Sequence, residues 1–117
     1  MDEVLEFIFR FKSKYPSELE DLFTNGYCYW FAIMLTTNFG GEIWYNPSVI
    51  HFCAYIDGWF YDITGRFPYN VEWKNWQEYQ ETLLQLGERE ILENIIRTCI
   101  QKKPLEENHP FDEMFLL

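Results

Sequence analysis

The stretch HFCAYIDGWFYD, residues 51 to 62, constrains the fold more than any other part of the chain. Asp57-Gly58 stands between two runs rich in aromatic and β-branched residues, which is a two-residue hairpin signal. Such a turn sets Ile56 against Trp59, and every further rung is counted back from that pair. His51 then falls opposite Thr64, Cys53 opposite Asp62, and Tyr55 opposite Phe60. Opposed residues share a face, as do residues two apart on one strand. His51 and Asp62 are therefore diagonal neighbours on one side of the hairpin, and a slip of one residue would separate them.

Around this hairpin the pattern is mixed. Val4, Phe7, Ile8 and Phe11 recur at helical spacing over residues 2–14, and Pro16 closes that helix. A short second helix is expected from Ser17 to about Phe23, broken by Thr24-Asn25-Gly26. From Cys28 to about Asn38 nearly every position is apolar, the mark of a helix covered on all sides, and Gly40-Gly41 is expected to cap it in the left-handed conformation. Glu42–Tyr45 reads as a strand, 66–72 as a loop with room for one more extended piece. Trp73–Leu86 and residues 88–103 read as helices, the second with a stripe of Ile91, Ile95 and Cys99 beside Leu92 and Ile96. The expected architecture is α+β: a central helix bearing Cys28 on a small antiparallel sheet, with helices at both ends. No repeat or linker divides residues 1–117, so a single domain is expected.

A chain of 117 residues, 48% hydrophobic and 21% aromatic, can bury a core without metals or disulfides. Cys28, Cys53 and Cys99 lack zinc-like spacing and cannot all pair, so they are expected as reduced thiols in a cytoplasmic protein, with no cofactor or metal. A formal net charge of -10 argues against a nucleic-acid surface, which needs clustered Lys and Arg. The absence of any stretch of about 18 apolar residues argues against a membrane span. The acidic runs at 18–21, 88–93 and 106–113 read as solvated faces.

Read singly, the polar residues of interest are ordinary: Cys28 a buried thiol, His51 a strand-edge residue, Asp62 a turn acid. Together they match a chemical need. Thiol catalysis requires a sulfur that ionises, an imidazole that takes its proton, and a third group that orients the imidazole. A helix N-terminus favours negative charge on Cys28. His51 is the better placed of two histidines, His109 lying in the acidic tail beside Pro110. Cys53 shares the face of His51 and Asp62 but sits in mid-strand, away from any helix dipole. Cys99 reads as core.

The ordered set G-Y-C-Y-W-F-A (26–32), H-F-C-A-Y-I-D-G-W-F-Y-D (51–62) and I-T-G (63–65) resembles the papain-like and transglutaminase-like cysteine enzymes, in a small form similar to phage-encoded proteins. The resemblance covers about residues 25 to 65. It implies Cys28 as nucleophile, His51 as general base and acid, and Asp62 as the orienting group. Such peptidases draw an oxyanion donor from a glutamine several residues before the cysteine; no glutamine precedes Cys28, and Asn25, read first as a helix cap, is the candidate substitute. Tyr27, Tyr29, Trp30 and Trp59 are candidate groove walls. The implied activity is that of a cysteine-dependent amide hydrolase or acyl transferase acting on a protein or peptide: protease, deamidase or transglutaminase. The competing expectation is a non-catalytic acidic interaction protein, such as a phage-type inhibitor or assembly factor that binds a host protein.

Overall fold

The Asp57-Gly58 turn forms as its sequence requires, with φ of 50° and 86°. In this computed structural model, which describes residues 2–14, 23 and 27–101, it joins β2 (His51–Ile56) to β3 (Trp59–Asp62). The rungs are Ile56 with Trp59, Tyr55 with Phe60 and Ala54 with Tyr61, the register counted from the turn. β1 (Glu42–Asn46) lies on the other side of β2, running from Glu42 opposite Tyr55 to Asn46 opposite His51. β4 (Gly65–Phe67) pairs with β3, and β5 (Lys74–Asn75) pairs with β1. The sheet is antiparallel throughout, in the order β4-β3-β2-β1-β5.

Four helical segments accompany it among the described residues. α1 (Glu3–Lys14) is capped by Asp2, whose Oδ1 accepts from the N–H of Val4 at 2.8 Å. It buries Val4, Ile8 and Phe11. Asp2 also accepts from the Tyr61 hydroxyl and from Arg66, tying the start of the helix to β3 and β4. α2 (Cys28–Phe39) packs chiefly on β2. Phe31, Met34 and Leu35 meet Ala54, Ile56 and Tyr61 in one cluster that includes the fully buried Phe23. The expected helix over 17–23 lies outside the described residues apart from Phe23, as do Asn25 and the acidic tail.

α2 stops at Gly40, whose N–H still bonds to the Thr36 carbonyl. Its φ of 79° with ψ of −161° is open to glycine but is not the left-handed helical cap expected. The chain leaves the helix fully extended instead, straight into β1. Gly41 follows at φ 91°, where a β-carbon would overlap the Tyr55 carbonyl oxygen and stand 2.8 Å from Ile56 Cγ1.

Two further expectations are corrected. The helix after Trp73 begins only at Trp76, as α3 (Trp76–Gln85), because Lys74 and Asn75 pair with β1. Asn75 then caps α3, its Oδ1 taking the N–H of Glu78. The last helix is α4 (Arg89–Ile95), followed by a π-helical turn, Ile96–Ile100, closed by Gln101 N–H on the Ile96 carbonyl. Its buried stripe is Leu92, Ile95 and Cys99, while Ile91 is exposed. No helix among the described residues is long and apolar enough to cross a membrane.

The two faces of the sheet differ. Phe52, Ala54, Ile56 and Tyr61 point toward α2 and the C-terminal helices. Cys53 and Phe60 point the other way, into a small aromatic cluster with Trp73, flanked by Trp44, Tyr55 and Phe67.

Candidate functional site

β2 and β3 part company just where the chemistry-bearing residues gather. Ile56 and Trp59 flank a two-residue turn and exchange backbone bonds, so the even-numbered residues of β2 direct their N–H groups toward β3. The ladder ends at Ala54 with Tyr61. At the next even position, the Phe52 N–H donates to Cys28 Sγ at 3.3 Å. The first residue of α2 thus places its sulfur where β3 would otherwise have continued.

His51, one residue earlier, reaches diagonally across the same gap. Its Nε2 lies 2.9 Å from Asp62 Oδ2. Asp62 is itself held by Thr64, whose backbone N–H donates to Oδ1 at 2.8 Å and whose hydroxyl donates to the same oxygen. The Cys28 sulfur, held by the N–H of the adjoining residue, Phe52, lies close enough to the imidazole to raise its pKa. With Nε2 committed to Asp62, Nδ1 is the nitrogen left for sulfur. Cys28, His51 and Asp62, three residues from three elements, are therefore brought together.

The electrostatics follow from this placement. Burial disfavours the charged imidazole, but the Asp62 carboxylate bonded to it and the nearby Cys28 sulfur outweigh it and raise the His51 pKa to about 9. His51 is consequently protonated at neutral pH. Burial also opposes the Asp62 carboxylate, yet its bonds from His51 and Thr64 hold its pKa below the ordinary value. Cys28 is only 4% exposed. The imidazole and carboxylate side chains are 15% and 13% exposed, so the cluster meets solvent on their side.

The remaining candidates are distributed unevenly. Cys53 is fully buried, and burial beside Asp62 drives its thiol far upward, which suits packing and not nucleophilic attack. Cys99 is buried among Tyr45, Trp76 and Leu92. Tyr27 and Trp30 pack against the α1–α2 core, and Tyr29 lies edge-on to Phe52 with ring centroids 5.1 Å apart. Trp59 is not near the sulfur. It belongs to the turn end of the hairpin, opposite Ile56, with the Arg66 guanidinium 4.3 Å from its ring. Asn25 and His109 lie outside the described residues.

Two neighbours of His51 carried no clear signal in the sequence. Asn46, opposite His51, is a buried polar residue at 4% exposure, and its Oδ1 accepts from the Ser48 N–H at 2.9 Å. Next to a proline it reads simply as a turn residue. Trp73 brings its ring centroid to 6.0 Å from the imidazole across the sheet's second face, a contact made by a loop whose path no periodicity foretells.

The fold and this cluster define an α+β domain built around a thiol, an imidazole and a carboxylate at the open end of a hairpin. Residues 7–101 match the family model described as Phage YunG-like protein, and the chain belongs to that family. No curated protein and no solved structure matches it.

Proposed function

We propose that the protein is a cysteine-dependent amide hydrolase or acyl transferase of papain-like or transglutaminase-like type, with Cys28, His51 and Asp62 as its triad. The observation that supports this most is an imidazole bonded to a carboxylate at 2.9 Å through Nε2, next to a sulfur that takes the N–H of the adjoining residue, Phe52, at 3.3 Å. A backbone N–H from Phe52 and a protonated imidazole flank the sulfur, both suited to balancing negative charge there.

In this mechanism the Cys28 sulfur adds to an amide carbonyl carbon, forming a C–S bond and a tetrahedral oxyanion. The C–N bond then breaks as the His51 imidazolium gives its proton to the departing amine, leaving a thioester and a neutral imidazole. Water, or a second amine, attacks the thioester while His51 takes its proton. The C–S bond breaks and the sulfur is restored beside the imidazolium. Asp62 holds the ring orientation and balances the imidazolium charge throughout.

Alkylation with iodoacetamide between pH 5 and 9, with mapping of the modified residue, tests this directly. Rapid labelling confined to Cys28 at pH 6, and its loss in His51→Ala, is the expected result. Slow, equal labelling of Cys28, Cys53 and Cys99 would remove the basis for catalysis.

A second reading is favoured by the family description and the net charge of -10: a phage-type protein that acts by binding a basic host partner. Retention of biological effect by Cys28→Ser would select it over the enzyme.

A further inference from the structure

The sheet's second face carries more than the triad needs. Along β1, Trp44 and Asn46 point to the same side as Cys53 and His51, their partners across the ladder. Trp44 is thus one two-residue step, about 7 Å, from the rung that holds the imidazole. Over Trp44 lies an open cavity of about 460 Å³, walled by Tyr69, Trp73 and Tyr79, with Thr82 of α3 at its rim. Trp73 is shared: one edge of its surroundings is this cavity, the other is His51, 6.0 Å away. Tyr69 is 55% exposed although it stacks at 6.0 Å on Phe60, so an aromatic surface stays open to solvent beside a site that meets solvent on the same side.

Asn46 lies opposite His51, on the same face as Trp44 and two residues along β1 from it. Its Oδ1 is used by the Ser48 N–H, which fixes the amide plane and leaves Nδ2 as a donor on the other arm. A largely buried amide whose Nδ2 still reaches solvent, on the rung of the proton-donating residue, is suited to a carbonyl that belongs to the ligand.

Resting on the mechanism above, the location identifies which half of the substrate goes here. His51 delivers its proton to the departing amine, so that amine and its substituents lie over the imidazole. We propose that the cavity, with the Asn46 amide two residues beyond it along β1 on the His51 rung, is a leaving-group subsite for an amine bearing an aromatic side chain and a carbonyl, as in an aromatic amino-acid amide. Rings stack on Trp44, Tyr69 and Trp73, and Asn46 Nδ2 donates to the carbonyl.

Amine capture tests the subsite. Cys28 is acylated with p-nitrophenyl acetate, and the acetyl-enzyme is partitioned between water, glycinamide and phenylalaninamide. Attack by either amine on the thioester gives the acetylated amide and returns the thiol. Phenylalaninamide should capture the acetyl group at least tenfold more effectively than glycinamide. Thr82→Trp, a change at an exposed helix position that fills the cavity, should abolish the preference and leave iodoacetamide labelling of Cys28 unaltered. Asn46→Asp keeps the Oδ1 acceptor for Ser48 but removes the donor, and should lower capture of both amines. Equal capture of the two amines by the unaltered protein would overturn the proposal.

A parallel measurement does not depend on acylation. Titration with N-acetylphenylalaninamide should shift the indole N–H resonances of Trp44 and Trp73, and Thr82→Trp should prevent it. If Cys28 fails to acylate but these shifts appear, the catalytic reading falls and the aromatic-amide site stands. If neither resonance moves, the subsite is wrong whatever the reactivity of the thiol.

Discussion

At the residue scale, His51 is the position on which most else turns. A β-strand ordinarily has little reason to carry an imidazole bonded to a carboxylate across a gap, and that pair makes fold stability depend on pH in a definite direction. A free histidine has a pKa near 6.5, whereas the Asp62 carboxylate and the nearby Cys28, acting against burial, push His51 up to about 9. A raised folded value stabilises fully below about pH 6.5 and loses that contribution as pH climbs toward about 9. The difference corresponds to about 3 kcal/mol. Denaturant unfolding at pH 6 and pH 9.5 should show a loss of that order in the unaltered protein and a much smaller one in His51→Asn. Identical pH dependence in both proteins would mean that the imidazole does not hold its proton through the Asp62 bond. Asp62 behaves oppositely: its depressed pKa contributes stability above the ordinary carboxylate range, lost as pH falls through its folded value.

At the element scale, the hairpin was legible because two turn residues determine the whole count. Asp57-Gly58 fixed Ile56 against Trp59, and the His51–Asp62 diagonal followed without any knowledge of the tertiary fold. Cys28 at the head of an all-apolar helix was legible for a similar reason, since Gly26 and Gly40 bracket the run in the sequence. What residue spacing does not carry depends on contacts between distant segments. The pairing of Lys74 and Asn75 with β1 delays α3 by three residues relative to its apolar start at Trp73, and the π turn at Ile96–Ile100 leaves no sign in residue spacing. Asn46 looked like the entry to a proline turn, which it is, and only the fold reveals that it also faces His51.

The junction between α2 and β1 gives a prediction at this same scale. Gly40 and Gly41 both hold positive φ, so alanine at either position meets a backbone strain of about 1–3 kcal/mol. A β-carbon on Gly40 meets nothing within 4 Å, whereas on Gly41 it collides with the backbone of β2. Gly40→Ala should cost only the conformational term. Gly41→Ala should cost several kcal/mol more than that, because the Tyr55 carbonyl cannot move without disturbing the strand that carries His51. Denaturation midpoints of the two variants provide the comparison, and equal losses would show that the junction yields.

At the scale of the whole molecule, the chain joins a densely aromatic interior to a strongly anionic exterior. Nineteen Asp and Glu face nine Lys and Arg, and surface pairs such as Arg10–Glu6, at 4.0 Å and well exposed, offset little of the repulsion. Charge of one sign on a molecule of 14.3 kDa opposes the compact state, and screening weakens that opposition. Raising sodium chloride from 10 mM to 0.3 M shortens the Debye length from about 30 Å to under 10 Å, which removes most long-range repulsion. The His51–Asp62 pair, at 2.9 Å and mostly shielded from water, lies well inside either length and is little affected. The melting temperature should therefore rise with salt, by a few degrees, with His51→Asn rising by the same amount. A fall in the unaltered protein would mean that exposed ion pairs outweigh self-repulsion. A rise found only when His51 is present would instead trace the salt effect to the site and not to the net charge.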